Sequence, residues 1–266
     1  MRSFALGVLI AALVSFSAAA QDEAERRELT PTGKLRVAVA VSPSPSALYV
    51  VKEANGKLRG VSIDLGAALA RKLNVPVEYV EYLASGAITD AATKNVWDVT
   101  FVPYDAERAK QIDFGPAYHL LQSTYLVAPG SKIATLADVN KPEVRIAGVA
   151  NTATFRASSK ASPNATTITV AGVDDAVELM KAGKADAIAL SRESLTGLLP
   201  KIPGSRLLDG GFMNSVTAVA VPPGHKAALT YVSAFVEEEK ASGDVRKALD
   251  AIGLTTAQVA PAGMKP

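Results

Sequence analysis

Residues 98–127 read Asp-Val-Thr-Phe-Val-Pro-Tyr-Asp-Ala-Glu-Arg-Ala-Lys-Gln-Ile-Asp-Phe-Gly-Pro-Ala-Tyr-His-Leu-Leu-Gln-Ser-Thr-Tyr-Leu-Val. Asp98 to Val102 has the composition of a strand. A polar stretch carrying Glu107 and Arg108 follows, then Asp113-Phe114 and a Pro-containing turn. A second apolar run ends in another strand, Thr124 to Val127. Arg108 is the residue with chemistry. A guanidinium is always charged and can grip a planar carboxylate with two parallel hydrogen bonds. Judged by composition alone, the commoner fate of an arginine is exposure, here paired with Glu107 or Asp113.

Outward from this stretch, strands and helices alternate. Leu35 to Val41 is rich in Val and Ala without strict alternation, as in a strand buried on both faces. Asn55-Gly56 marks a turn. Ser62 or Asp64 is placed to cap a helix whose Leu65, Ala68, Leu69 and Leu73 share one face. Val75 to Tyr82 reads as a strand and Ile88 to Lys94 as a helix. The second half repeats the logic. Leu136 to Val139 is a short helix and Val144 to Val149 a strand. Asn151-Thr152 opens a helix, Thr166 to Val170 is a strand, and a helix from Val173 ends at Gly183. Ala187 to Leu190 and Ser215 to Val221 are strands. Lys226 to Ala241 is an amphipathic helix and Val245 to Ile252 a last short one. The pattern predicts an α/β protein with helices on both sides of a mostly parallel sheet.

Arg2, the apolar run Phe4 to Phe16 and Ala18-Ala19-Ala20 together read as a secretory signal, residues 1–20, cleaved before Gln21. The apolar run is shorter than the ~20 residues needed to span a bilayer, which disfavours an anchor. The chain has no cysteine, so disulfides, thiolate metal sites and a lipid-modified N-terminal cysteine are excluded. The expectation is a soluble exported protein that is not a lipoprotein. Without Arg2, 27 basic residues face 26 acidic ones. So even a balance argues against nucleic-acid binding. Gln21 to Thr32 reads as a loose leader, and Thr255 to Pro266 as a trailing tail.

The run from the Asp98 strand through Glu107-Arg108, Asp113-Phe114, the Pro turn and Tyr118 resembles the signature of periplasmic solute-binding proteins of family 3, the polar amino-acid type. Gly60-Val61-Ser62-Ile63-Asp64-Leu65 and Lys181-Ala182-Gly183-Lys184-Ala185-Asp186-Ala187 carry the same resemblance, which spans roughly residues 35 to 253. It implies the two-lobed type 2 periplasmic-binding fold, with ligand held between lobes joined by two hinge crossovers. The crossings are expected near Tyr125–Ala128 and Thr217–Ala220. The expected organisation is a signal peptide (1–20), first lobe (21–125), second lobe (126–218), then a return to the first lobe and the tail (219–266).

The resemblance also implies ligand-binding positions. Arg108 matches the carboxylate-binding arginine. The loop between Asp98 and Arg108 is two residues shorter than usual, and Pro103-Tyr104 replaces small and hydroxyl residues. Thr152 matches the hydroxyl residue at a helix start in the second lobe, where backbone amides suit a carboxylate. A plain N-cap is its simpler role. Asn151 stands where members usually carry Gly. Ser191 stands where amino-acid binders carry the acid that pairs with the ligand ammonium. Glu193, two residues on, could replace it or merely pair with Arg192. The usual aromatic clamp is missing from the loop holding Ser46, leaving Tyr49 and Tyr104 as substitutes or packing residues. Tyr118 completes the candidate ligand-binding set.

Other chemistry has little support. His119 and His225 are the only histidines, and neither has a partner at metal spacing. No cofactor motif is present. Trp97 reads as core. The expectation is a monomeric periplasmic receptor that delivers a small carboxylate-bearing solute to an inner-membrane ABC permease. The alternative is an enzyme resembling cyclohexadienyl dehydratase, which shares the fold. That chemistry needs a positioned acid or base, and Glu193 is the one candidate in this set.

Overall fold

A computed structural model describes residues 23–42, 50–255 and 257–266. The first lobe is built around Leu35–Ser42 (β1), whose Leu35, Val37, Ala38 and Val39 are buried. It pairs in parallel with Val77–Tyr82 (β4) and Val99–Pro103 (β5). Val50–Lys52 (β2) and Leu58–Arg59 (β3) extend its edge. Residues 23–29 (α1) and the helices Val61–Leu73 (α2) and Ser85–Asp90 (α3) complete this part. The long strand Asp113–Val127 (β6) then leads into the second lobe. There follow Leu136–Val139 (α4), Arg145–Val149 (β7), Ala153–Ala161 (α5), Thr166–Val170 (β8), Val173–Lys181 (α6), Ala187–Ser191 (β9), Arg192–Leu198 (α7) and Arg206–Leu207 (β10). Met213–Val221 (β11) returns to the first lobe. Lys226–Ala241 (α8), Asp244–Ala251 (α9) and Gln258–Val259 (β12) end the chain. The main sheet path runs β3-β2-β1-β5-β11-β6-β9-β7-β8.

Each lobe has its own core. One face of the first-lobe sheet packs Val37, Phe101, Tyr118 and Val219 against Leu65 and Leu69 of α2 and Val232, Phe235 and Val236 of α8. Burying each such side chain contributes roughly 1.5–3 kcal/mol. Ala147, Val149, Ile188 and Leu190 meet Val173, Val177 and Met180 in the second lobe.

The two lobes share a local device. In the first, Asp98 accepts from the Arg36 backbone N–H at 2.8 Å and from its guanidinium at 2.6 Å. In the second, Asp186 accepts from the Arg145 backbone N–H at 2.9 Å and from its guanidinium at 2.8 Å. Each Asp also donates its own N–H to the carbonyl of its Arg. Asp98 and Asp186 therefore tie the start of a strand to its parallel neighbour and set the register of both sheets. The pull of Arg145 keeps the Asp186 carboxyl below its usual range.

Several expectations are corrected. β6 pairs with β11 from Asp113 to Ser123 and with β9 from Ser123 to Val127. Tyr125 thus already lies in the second-lobe sheet. Thr217 pairs with Pro103 of β5, so it already lies in the first. Both crossings fall a few residues N-terminal of the expected stretches. Gly60 stands at the N-cap of α2, with no side-chain cap bond from Ser62 or Asp64. The helix expected from Ile88 begins earlier, at Ser85. α7 was not anticipated. The leader is not loose after residue 23. Leu29 is buried, and Glu28 accepts the Ala228 N–H at 2.8 Å in the first turn of α8. The tail is docked as well. β12 pairs with β6, and Ala117 donates its N–H to the Met264 carbonyl at 2.9 Å.

Candidate functional site

The C-terminal ends of the parallel strands in both lobes point toward one cleft, the usual ligand position in α/β sheets. Arg108 lies there, in a 3-10 turn spanning Arg108–Lys110, and is 2% exposed. Its Nε donates to Thr89 Oγ1 at 3.0 Å and its Nη2 to Ser85 Oγ at 3.1 Å. Its Nη1 donates to the Pro103 carbonyl. Ser85 and Thr89 are one turn apart on α3, so a single helix face holds the guanidinium. The exposed ion pair to Glu107 is excluded; Glu107 pairs with Lys110. The Pro103 carbonyl itself lies against Arg108.

A cavity of about 110 Å³ opens at Arg108, lined by Gly86, Thr89, Asp90, Gln111, Asn151 and Arg156 among others. Its walls come from both lobes. Asn151 has a left-handed backbone, φ 55°, a conformation Asn tolerates better than most residues. It lies so close to Gly86 that a Cβ on that glycine would sit 2.5 Å from the Asn151 Cβ. Thr152 is 3% exposed and caps α5, accepting the Phe155 N–H at 3.2 Å and donating to the Val149 carbonyl at 2.8 Å. The structure therefore brings Arg108 and Asn151 to one cavity, with Thr152 directly behind.

The other candidate positions lie elsewhere. Ser191 is 4% exposed and caps α7, with its Oγ 2.6 Å from Ser194 Oγ and 3.2 Å from the Ser194 nitrogen. Its hydroxyl is occupied by helix capping. Tyr104 stacks edge-on against Phe114, centroids 5.1 Å apart, and faces a hollow of about 730 Å³ beside α8 rather than Arg108. Tyr118 is packed edge-on against Phe101 in the first-lobe core. Both placements have one cause: aromatic rings beside apolar strands gain by packing against other rings. Ser46 and Tyr49 lie outside the described residues. Trp97 is core as expected, its Nε1 donating to the Ile88 carbonyl at 3.1 Å.

Glu193 faces a different hollow, about 510 Å³, between the crossing strands and the tail. Its Oε1 is 3.9 Å from Nε2 of fully buried His119, whose Nδ1 lies 3.5 Å from Thr217 Oγ1. Burial, with the charge of Arg246 nearby, pulls the His119 pKa down to about 4. Burial pushes the Glu193 carboxyl upward. Neither group lines the Arg108 cavity. Among the described residues no cluster of three or more His, Asp or Glu could hold a metal ion.

Sequence reasoning missed Ser85, Thr89, Asp105 and Arg156. Two spacings point to the last two: Asp105 is three residues before Arg108, and Arg156 is one helical turn after Thr152.

Comparisons with known proteins show the family and the fold. The chain is 20% identical over 256 residues to the ABC transporter glutamine-binding protein GlnH of Bacillus subtilis, covering 91% of this chain and 93% of that one. A match to a glutamine-binding protein of Geobacillus stearothermophilus has 25% identity over 161 residues, covering 59% of this chain and 61% of that protein's length. The solved structure of the substrate binding protein of an amino acid ABC transporter superposes with a TM-score of 0.74 at 25% identity, covering 83% of this chain and 99% of that one. The sequence profile of one family matches residues 35–252, and with it the chain belongs to the bacterial extracellular solute-binding proteins, family 3.

Proposed function

We propose that this chain is the exported binding protein of an ABC importer. It captures a small carboxylate-bearing solute, an amino acid or related organic acid, between two lobes and presents it to an inner-membrane permease. The observation that carries this reading is a buried Arg108 lining a cavity whose opposite wall, at Asn151 and Arg156, belongs to the other lobe. A guanidinium fixed by the Ser85 and Thr89 hydroxyls and the Pro103 carbonyl, with Asp105 3.7 Å away, is a preset cation facing the cleft, suited to a ligand carboxylate. The relatives' roles in glutamine binding and amino acid ABC transport support the same reading.

The proposed parts are a signal at 1–20, a first lobe from residue 21 that ends within β6 before Tyr125, a second lobe that ends within β11 before Thr217, and a return segment from there. The mature chain begins at Gln21 in the periplasm, works as a monomer and breaks no bonds. Among the described residues no helix is long and apolar enough to cross a membrane. Calorimetry with amino, hydroxy and keto acids on wild type and Arg108→Lys tests the binding role. Saturable binding weakened by the variant is expected. Turnover of prephenate or arogenate would overturn the receptor reading.

A further inference from the structure

We propose that Asp105 and Arg156 form a cross-cleft latch that holds the lobes together and positions Arg108. The inference rests on the receptor reading. Asp105 sits in the loop before Arg108. Its Oδ1 accepts the N–H groups of Glu107 at 2.9 Å and Arg108 at 3.0 Å, which fixes the side chain on the first lobe. That leaves Oδ2 aimed across the cleft. Oδ2 lies 3.7 Å from Arg108 Nη1 and accepts a hydrogen bond from Arg156 Nη2 of α5, in the second lobe. One carboxylate thus touches both guanidiniums that line the cavity.

Two further contacts join the same edges. Ala84, just before α3 in the first lobe, is buried within the second-lobe core cluster, which also holds Val149 and Leu190. Gly86 meets Asn151. These two contacts are apolar or steric and carry little direction. The ion pair is directional, and it links the loop of Arg108 to the helix that Thr152 caps. Closure therefore brings Arg156 to Asp105, and Asp105 in turn steadies Arg108 through its turn. Arg156 acts through Asp105 as a positioning residue.

The test uses unliganded protein, so it can fail while the receptor reading stands, and the reverse. The chain has no cysteine, so Lys94→Cys and Lys160→Cys give two clean spin-label sites, one on each lobe. Pulsed electron resonance then reads the interlobe distance distribution. Arg156→Gln and Asp105→Asn should each lower the closed-to-open ratio by roughly 1.5- to 5-fold, the range of an ion pair that solvent partly screens. The double variant should fall no further than either single one, and Arg156→Lys should recover part of the loss. High salt should open the wild type and leave Arg156→Gln unchanged. A distribution in Arg156→Gln equal to wild type would overturn the latch. So would opening in Asp105→Asn alone, which would reduce Asp105 to a loop-capping residue.

Discussion

Gly86→Ala should block lobe closure without weakening the lobe that carries it. An added Cβ would lie 2.5 Å from the Asn151 Cβ, 2.9 Å from its carbonyl oxygen and 3.2 Å from its carbonyl carbon. Carbon atoms in contact prefer about 3.5–4.0 Å. The two walls must therefore separate by about 1 Å at this point. Little can yield. Two of the three opposing atoms are backbone, in a residue at φ 55° immediately before the capped start of α5. Inserting a methyl into such a contact costs roughly 1–3 kcal/mol. If the cost falls on the closed state, ligand affinity drops about 5- to 150-fold. The local effect has the opposite sign. Gly86 lies in α3 without a left-handed backbone, so alanine there favours the helix by about 1 kcal/mol. The expected result is unchanged or raised thermal stability without ligand, together with weaker binding and a longer interlobe distance. Adding Asn151→Gly removes the nearest atom but not the carbonyl, so rescue should be partial. Affinity within twofold of wild type and an unchanged distance distribution would refute the closed geometry on which the steric reasoning depends.

Arg108→Ala should abolish carboxylate binding, a loss of roughly 2–5 kcal/mol by calorimetry. It should also lower stability by roughly 2–4 kcal/mol in denaturant titration, because Ser85, Thr89 and the Pro103 carbonyl lose a charged donor. His119 should make the fold acid-sensitive. Its folded pKa of about 4 lies below the ordinary ~6.5, so the unfolded chain takes up a proton that the folded one refuses. Stability from this group is complete above about pH 6.5 and falls as pH drops toward 4, by roughly 2 kcal/mol at pH 5. The raised Glu193 carboxyl opposes this trend, since its shift favours the fold at low pH. His119→Gln should flatten the loss between pH 6.5 and 4 in melting curves, and an unchanged slope would contradict it. Ser191 is occupied by its cap and offers no charge to a ligand ammonium. A matched hydroxy or keto acid should therefore compete within tenfold of the amino acid, and a larger gap in competition titrations would count against that view.

The fold was legible because its signals are local and redundant. Leu35–Val41, Thr166–Val170 and Lys226–Ala241 state their structure through composition and period. Asp98 and Asp186 were legible as motif residues, but their shared work, clamping the Arg at the start of the parallel neighbour strand, needs two distant segments in register. The ends of the chain were misread for a related reason. Pro261, Gly263 and Pro266 look like a trailing tail, yet the edge of β6 opposite β11, ahead of the stretch that pairs β9, accepts Gln258 and Val259. Only the path of β6 reveals that edge. The site divides along the same line. Arg108 was found by its motif, and its chemistry follows from the guanidinium alone. Tyr104, Tyr118 and Ser191 were nominated by position, and each has a better local use in packing or capping. Asp105 and Arg156 carry only a faint local signal, their spacing from Arg108 and Thr152, and their pairing appears only where the lobes meet. A binding cleft is a contact between two folding units, so one unit's pattern specifies its own wall and not what faces it. That wall-to-wall chemistry is where family members with the same fold are free to differ, and where the ligand of this one will be decided.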